Sequence, residues 1–411
     1  MDALNQADTA WLMVSCALVM LMTPGLALFY GGMVNSRNVL SSFMHSFIAL
    51  GIITLQWVVI GYSLAFGSDA GGGFIGGFEY AFLNGVGLQP QEGSTIPHIL
   101  FMAFQMMFAI ITPALISGAI AERMKFSAYF LFIVLWATFV YDPICHWVWG
   151  PDGWLGARGA LDFAGGTVVH LSSGTAALVC ALVIGRRSRP GPPHNLTLTL
   201  LGAGLLWFGW FGFNAGSALA SNENAALALV NTHLAAGAAA FAWAITEWIR
   251  QGKPTALGVA SGLVAGLVCI TPAAGFVGPV SAVVMGLVAG PICYGAVMLK
   301  GRLGYDDALD AFGIHGVGGA LGAVLTGVFA AEVWGGNNGL IGGNSVLFVE
   351  NVIGVLAAAG YSVVVTFVLL KAIDATIGLR VSKDEESEGL DTNLHGEEGY
   401  HMGGAAVLTE E

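Results

Sequence analysis

Residues 162–174 read DFAGGTVVHLSSG, and residues 306–322 read DDALDAFGIHGVGGALG. In the first, His170 follows Asp162 by eight residues inside an otherwise small, apolar run. In the second, His315 follows Asp307 by the same eight. Aligning the two histidines also aligns Ser173-Gly174 with Gly318-Gly319. A histidine placed twice in this way within apolar chain needs an architecture that tolerates it and a use that requires it.

The architecture comes from composition. The chain has 411 residues, 56% hydrophobic and only 10% charged. Soluble domains average roughly 25% charged residues, so this chain has too few charges to cover a soluble surface. A bilayer core takes about 20 apolar residues per helical span. Eleven such stretches are present, approximately 9–33, 42–67, 97–121, 125–145, 163–185, 197–219, 225–250, 255–273, 279–299, 311–333 and 346–378. Outer-membrane strands alternate apolar and polar residues over about ten positions; these runs are continuously apolar and longer, which excludes a barrel. Sixty glycines suit membrane helices, where small residues let backbones approach. The expected fold class is an all-α membrane protein of eleven transmembrane helices.

The two histidine segments belong to spans five and ten. Five spans apart means opposite orientation, so spans 1–5 and 6–10 are expected to form an inverted repeat, with span eleven peripheral. The expected division is a transmembrane domain over 1–378 and a polar, acidic tail over 379–411. The net charge is −12, but the placement of the basic residues says more. Arg37, Arg123, Lys125, Arg186, Arg187, Arg189, Arg250, Lys253, Lys300, Arg302, Lys371, Arg380 and Lys383 fall in alternate loops or at the last span's end. Arg158 alone falls in the other set. The positive-inside rule then puts the amino terminus outside and the tail in the cytoplasm. The start, MDALNQAD, is acidic, unlike a cleaved signal's basic leader, so 9–33 is read as a retained span. Five scattered cysteines without CxxC spacing read as buried hydrophobes.

An ionisable residue inside a span is a functional hypothesis by default. Neutral imidazole is the cheapest to bury, and two can face each other, one nitrogen donating and one accepting. A lone buried histidine is ordinarily satisfied by a carbonyl; two at matching positions of a repeat favour a pair near the midplane that hydrogen-bonds a small polar solute. Asp162 stands where a carboxylate caps a helix start, and its charge also favours a cation at the outer mouth. Asp307 is the inner equivalent, and Asp310 reads as a polar loop residue. Aromatic residues cluster: Phe104 and Phe108 in FQMMF, Trp147 and Trp149 in HWVWG, and Trp207, Trp210, Phe211 and Phe213, followed by Ser217, in WFGWFGFNAGS. Interfacial belts account for Trp11, Trp248 and Trp334. Rings converging on one mouth would attract a cation, ammonium types above all, and a hydroxyl such as Ser217 accepts a hydrogen bond from it. His45, His98, His146, His194, His233, His395 and His401 receive no role.

With these residues in view the chain resembles the Amt/MEP/Rh ammonium transporter family, on its bacterial and archaeal Amt branch. The matching segments are AFQMMFAIITPALISGAIAERMKFS, DFAGGTVVHLSSG, GWFGFNAGSA, TPAAGFVGP, DDALDAFGIHGVGG and GLRVSKDEESEGLDTNLHGEEGY, in the family's order across nearly the whole chain. The resemblance implies a homotrimer in the cell membrane with one pore per subunit, carrying ammonium or ammonia, with methylammonium a candidate second substrate. It makes His170 and His315 a twin-histidine pair. Trp149, Phe108 and Ser217 become an external ammonium site, Phe108 and Phe213 a stacked gate, and Asp162 matches the family's buried aspartate. The tail resembles the segment that docks on the cytoplasmic face and contacts a PII signalling protein. HMGGAAVLTEE, after Tyr400, has no assigned role. No cofactor, metal or nucleic acid is expected, and no enzymatic activity. An electroneutral ammonia channel and an ammonium sensor acting through the tail and a partner stay open as alternatives. An intramembrane metalloenzyme lacks HxxxH or HExxH spacing, and a water channel lacks paired NPA motifs.

Overall fold

The computed structural model describes residues 4–400, and among them every named element is helical. Ten helical spans are long and apolar enough to cross a bilayer: α1 Gln6–Met33, α2 Ser36–Phe66, α3 His98–Ile120, α4 Phe126–Ala157, α5 Gly166–Ile184, α6 Leu196–Gly216, α7 Glu223–Gln251, α9 Pro279–Leu303, α10 Phe312–Phe329 and α11 Ser345–Thr376. Between α7 and α9 lies α8, Ala256–Ile270. Its 15 residues rise only about 22 Å. The turns after Thr271 carry the chain the rest of the way, which is why the sequence's apolar stretch 255–273 is longer than the helix.

Hydrogen bonds between loops sort the chain into two faces. On one face the α1–α2, α3–α4, α5–α6 and α9–α10 connections converge: Arg187 bonds Glu122 and Asp306, and Glu122 also accepts from Asn35 N and Asn38 Nδ2. This is the basic face. On the other, Asp8 accepts from Thr95 and Ser221, Trp154 N donates to Gly73 O, and Phe163 N donates to Pro272 O. The amino-terminal residues and the tail therefore lie on opposite faces, as eleven crossings require.

Burial separates central spans from peripheral ones. Within their most apolar windows α5 is 83% buried and α11 only 22%. Helices α1 and α6, the first of each five-span set, form the most extensive helix pair. Glycines make that contact close: a Cβ on Gly202 would collide with the Phe29 backbone, and one on Gly212 with Leu18. This is the small-residue packing that membrane helices use in place of a hydrophobic drive.

The tail is ordered against the basic face as far as Tyr400. Lys125 N donates to Leu379 O, and Val381 N to Arg123 O. A short helix, α12 (Lys383–Glu388), opens with a Ser382/Glu385 capping box, two reciprocal bonds that satisfy helix-start amides. Glu386 then accepts from Ser188 and Arg380, Leu390 N donates to Asn38 Oδ1, and Asp391 accepts from the amides of Leu40 and Ser41. Residues 401–411, including His401, lie outside the described residues.

Candidate functional site

Both histidine segments are π-helical turns, Gly166–Leu171 heading α5 and Phe312–Gly316 heading α10. A π-turn appears mostly as a single insertion, often at functional sites, and here each one is built the same way. Asp162 takes the amides of Gly165 and Gly166 on Oδ1 and of Thr167 and Val168 on Oδ2, at 2.7–3.0 Å. Asp307 takes Ala311 N on Oδ1 and Phe312 N on Oδ2, at 3.1 and 2.8 Å. Three residues after each acid comes a left-handed residue, Gly165 (φ 113°) and Asp310 (φ 62°). Asp310 is thus no plain loop residue: it forms an ion pair with Lys300, whose ammonium also donates to Asp307 O at 2.7 Å.

The two turns pack on each other. A Cβ on Gly174 would strike the backbone of Gly316 and His315, and one on the matching Gly319 would strike Gly166 O and Leu171 N. Backbone contact on both sides brings the imidazoles together. Their Nδ1 atoms are 3.3 Å apart, their ring centroids 5.3 Å apart and their planes inclined by 22°. His170 is 2% and His315 4% exposed. One ring donates its Nδ1–H and the other accepts. In neutral imidazoles the donor ring is then left with a bare Nε2 and the acceptor ring with an Nε2–H. The pair thus offers one lone pair and one N–H, and the two exchange with the tautomers. His170 Nε2 has no protein partner.

Beside the pair runs a narrow cavity with a water-accessible volume of about 10 Å³, room for about one water-sized molecule. Apart from His170 and His315, its wall is almost wholly apolar: Met22, Leu26, Phe29, Ile111, Leu115, Leu206, Trp210, Phe213 and Val264. Phe213 lies 5.8 Å from His170 and 4.2 Å from Phe108, centroid to centroid. Phe108 touches Phe104 at 5.0 Å and Trp149 at 6.1 Å. Phe104, Phe108 and Phe213 are buried, whereas Trp149 and Ser217 are partly exposed. Trp149 is fixed by its indole N–H, which donates to Asp162 O at 2.8 Å. The Ser217 hydroxyl donates to Phe213 O, leaving its oxygen lone pairs to accept. The path from Trp149 to the histidines therefore meets two nearly touching phenyl rings.

Three aromatic residues depart from the expected cluster at the mouth. Trp210 sits one layer deeper, stacked on His170 at 5.2 Å, with its N–H on Thr271 Oγ1. Trp207 and Phe211 face away and stack on the exposed His233. Helical phase is the reason: Trp210 and Phe213 share a face three residues apart, and Trp207 and Phe211 share another four apart. Residues given no role by sequence also turn out to be built in. Asp142 is fully buried and accepts from Gln56 Nε2 at 2.7 Å, and His146 is fully buried beneath the 67–77 loop. Among the described residues no cluster of three or more His, Cys, Asp or Glu side chains is arranged to hold a metal ion.

On the basic face, charge reaches the base of the α10 turn. Arg123 is fully buried, and its guanidinium donates to the carbonyls of Ala119, Ala121, Gly185 and Asp306. Burial raises the Asp306 carboxyl, but the hydrogen bonds and charge of Arg187 outweigh it and hold the pKa at about 2. Asp306 is the neighbour of Asp307, so the tail-bearing network abuts the acid that caps the His315 turn.

A family model for the Ammonium Transporter Family matches residues 10–400. The chain is 52% identical over 403 residues to an ammonium transporter of Bacillus subtilis, covering 97% of this chain and 99% of that one. It is 49% identical to ammonium transporter Amt1 of Archaeoglobus fulgidus, covering 97% and 100%. Its structure is similar to the crystal structure of Saccharomyces cerevisiae Mep2, with a TM-score of 0.88 and 41% identity over 93% of this chain and 88% of that one. A structure described as a sensor Amt protein also matches with a TM-score of 0.88, at 31% identity over 94% and 98%. With that agreement over nearly its full length, the chain belongs to the ammonium transporter family, a family of multi-pass membrane transport proteins rather than enzymes.

Proposed function

We propose that the protein captures ammonium ion at Trp149, Phe108 and Ser217, removes a proton, and conducts ammonia past His170 and His315. The basic face is read as cytoplasmic, which puts the mouth outside the cell membrane. The aromatic faces attract the cation, and the Ser217 oxygen accepts one of its N–H bonds. Sodium loses more hydration there and gains no directed hydrogen bond. Below the phenyl pair the wall is apolar, and a bare cation costs several kcal/mol at least. Ammonium escapes that cost by splitting into ammonia and a proton; potassium has no such route. Ammonia then meets the histidine pair, which supplies an acceptor for its N–H and a donor for its lone pair.

The observation that carries this reading is the 3.3 Å histidine contact beside a cavity one small molecule wide. We read the proton as crossing separately along the histidines, which makes transport electrogenic; its return outward would make the protein a neutral ammonia channel. The two five-span halves are read as an inverted repeat, 1–378 as the transport domain and 379–411 as a regulatory tail. Family likeness supports a homotrimer, with the docked tail as the surface for a PII-type signalling protein.

The test is an ammonium jump on proteoliposomes, with current and internal pH followed together. Current with ammonium and none with potassium is the expected result. Alkalinisation of the lumen without current would assign the neutral channel, and neither signal would leave the sensor reading, acting through the tail.

A further inference from the structure

Helices α7 and α9 end side by side on the basic face, and a groove of about 470 Å³ runs between them. Two arginines line it, Arg250 from the last turn of α7 and Arg302 from the last turn of α9. Along α9 its wall is Pro291, Gly295, Met298 and Leu299, which face outward. A Cβ on Gly295 would meet nothing within 4 Å, so the groove is open there. Its floor is the buried Tyr294, whose hydroxyl accepts from Gln251 Nε2 at 3.0 Å and whose ring meets Trp243 edge-on.

Charge at this corner is unbalanced. Arg250, Arg302 and the nearby Lys253 take part in none of the ion pairs among the described residues. The acid on this stretch of α7, Glu247, is turned inward: it is buried and accepts from Thr255 N and Oγ1. Elsewhere on the basic face Arg123, Arg187 and Arg380 are spent on carbonyls and carboxylates of the protein itself. A helix carboxyl end favours a basic residue, which accounts for one cation on each helix but not for an open groove between them. The setting supplies an occupant. From Arg302 back to Pro291 the helix rises about 16 Å, and the hydrocarbon of one leaflet is about 15 Å deep. Trp248, exposed on the same turn as Arg250, belongs at head-group depth. The arginines therefore stand at the level of phosphates, and the groove descends from them into the acyl region.

We propose that the α7–α9 groove binds one anionic phospholipid from the leaflet on the basic face, its phosphate held by Arg250 and Arg302 and an acyl chain laid over Gly295. The planar guanidinium fork matches two phosphate oxygens at once, and a basic pocket between membrane helices is a recurrent head-group site. Seated there, the lipid ties α7 to the turn of α9 that carries Lys300, whose ammonium pairs with Asp310 and donates to Asp307 O at the base of the His315 turn.

The experiment titrates the detergent-solubilised full chain with dioleoylphosphatidylglycerol or dioleoylphosphatidylcholine, counting bound lipid by native mass spectrometry and following the thermal midpoint. Wild type should bind the anionic lipid in preference to the zwitterionic one and melt higher with it. In the double variant Arg250→Gln/Arg302→Gln, the loss of two surface cations worth about fivefold each should weaken that binding by more than about tenfold. Gly295→Leu keeps both charges, fills the groove, and should weaken it as well. Arg189→Gln, on the same face outside the groove, should bind as wild type does. Equal binding of the two lipids by wild type, or undiminished phosphatidylglycerol binding in both groove variants, would overturn the proposal. Dissociation of subunits in Gly295→Leu with lipid binding retained would overturn it in favour of a contact between copies of this chain.

Discussion

The two histidine-bearing turns are built to one plan from different parts. Each has an acid that takes the first amides of a π-turn, a left-handed residue three positions on, a histidine five positions after that, and a glycine that admits the other turn. The α5 turn is held by backbone alone: Asp162 accepts four amides, and the left-handed position is glycine. The α10 turn is held partly by charge. Asp307 accepts two side-chain bonds from amides, and the left-handed position is an aspartate paired with Lys300. Asp306 beside it joins the network that seats the tail. Shared geometry places two equivalent imidazoles side by side. The difference makes one half a fixed wall below Trp149 and Phe108 and gives the other an ionic link to the basic face.

The strongest break in the comparison is to remove each acid. Asp162→Ala strands four buried amides at about 1–3 kcal/mol each, and folded protein on size exclusion should fall by about tenfold or more. Asp307→Ala strands two, and should leave folded protein with reduced transport. Equal losses would mean that the two caps are equivalent.

Next are the contact glycines. Gly174→Ala and Gly319→Ala each push a methyl into the partner turn's backbone, an overpacking cost of about 1–3 kcal/mol. Both should lower the thermal midpoint and impair ammonium selectivity by similar amounts. A silent Gly319→Ala would deny the two-sided packing.

A smaller effect separates the left-handed positions. Asp310→Gly keeps the conformation and removes a partly buried ion pair, a contribution of about 1 kcal/mol. Asp310→Ala removes the pair and keeps the left-handed Cβ strain of about 1–2 kcal/mol that Asp310→Gly relieves. Melting curves should place Asp310→Ala below both wild type and Asp310→Gly.

A further effect is acid sensitivity. Asp306 is held near 2 against its ordinary 3.8. Its contribution is complete above about pH 4 and is lost as pH falls toward 2. The stability gap between wild type and Asp306→Asn should be constant from pH 6 to 4 and close by pH 2. A gap independent of pH would show that the carboxylate charge is not what binds Arg187.

Much of this was legible in the sequence because membrane burial makes signals coarse. Apolar length marked the spans, and alternating basic loops marked the face on which Arg123, Arg187 and the tail meet. The eight-residue interval from acid to histidine marked the two turns, and the capping role of Asp162 followed from its position. Other features were not legible. Nothing in GTVVHL or FGIHG announces a π-turn, and WVVIG and ATFVY form one with no side-chain cap before them. The separation of Trp210 from Trp207 is a matter of helical phase within an all-apolar span, where periodicity carries no contrast. Asp142 and Gln56 are 86 residues apart, and so are invisible to spacing. His146 received no role from sequence, and its burial beside Ala65 O, 81 residues away, is equally invisible to spacing.

The central claim is that each half gives one neutral histidine to an apolar pore that ammonia crosses and metal cations do not. The most direct measurement is the ammonium-jump current in proteoliposomes for wild type, His170→Ala and His315→Ala, each repeated with potassium. The account predicts an ammonium current without a potassium current in wild type, and in each variant either no current or current from both ions. Full ammonium current with potassium still excluded, in both variants, would contradict it.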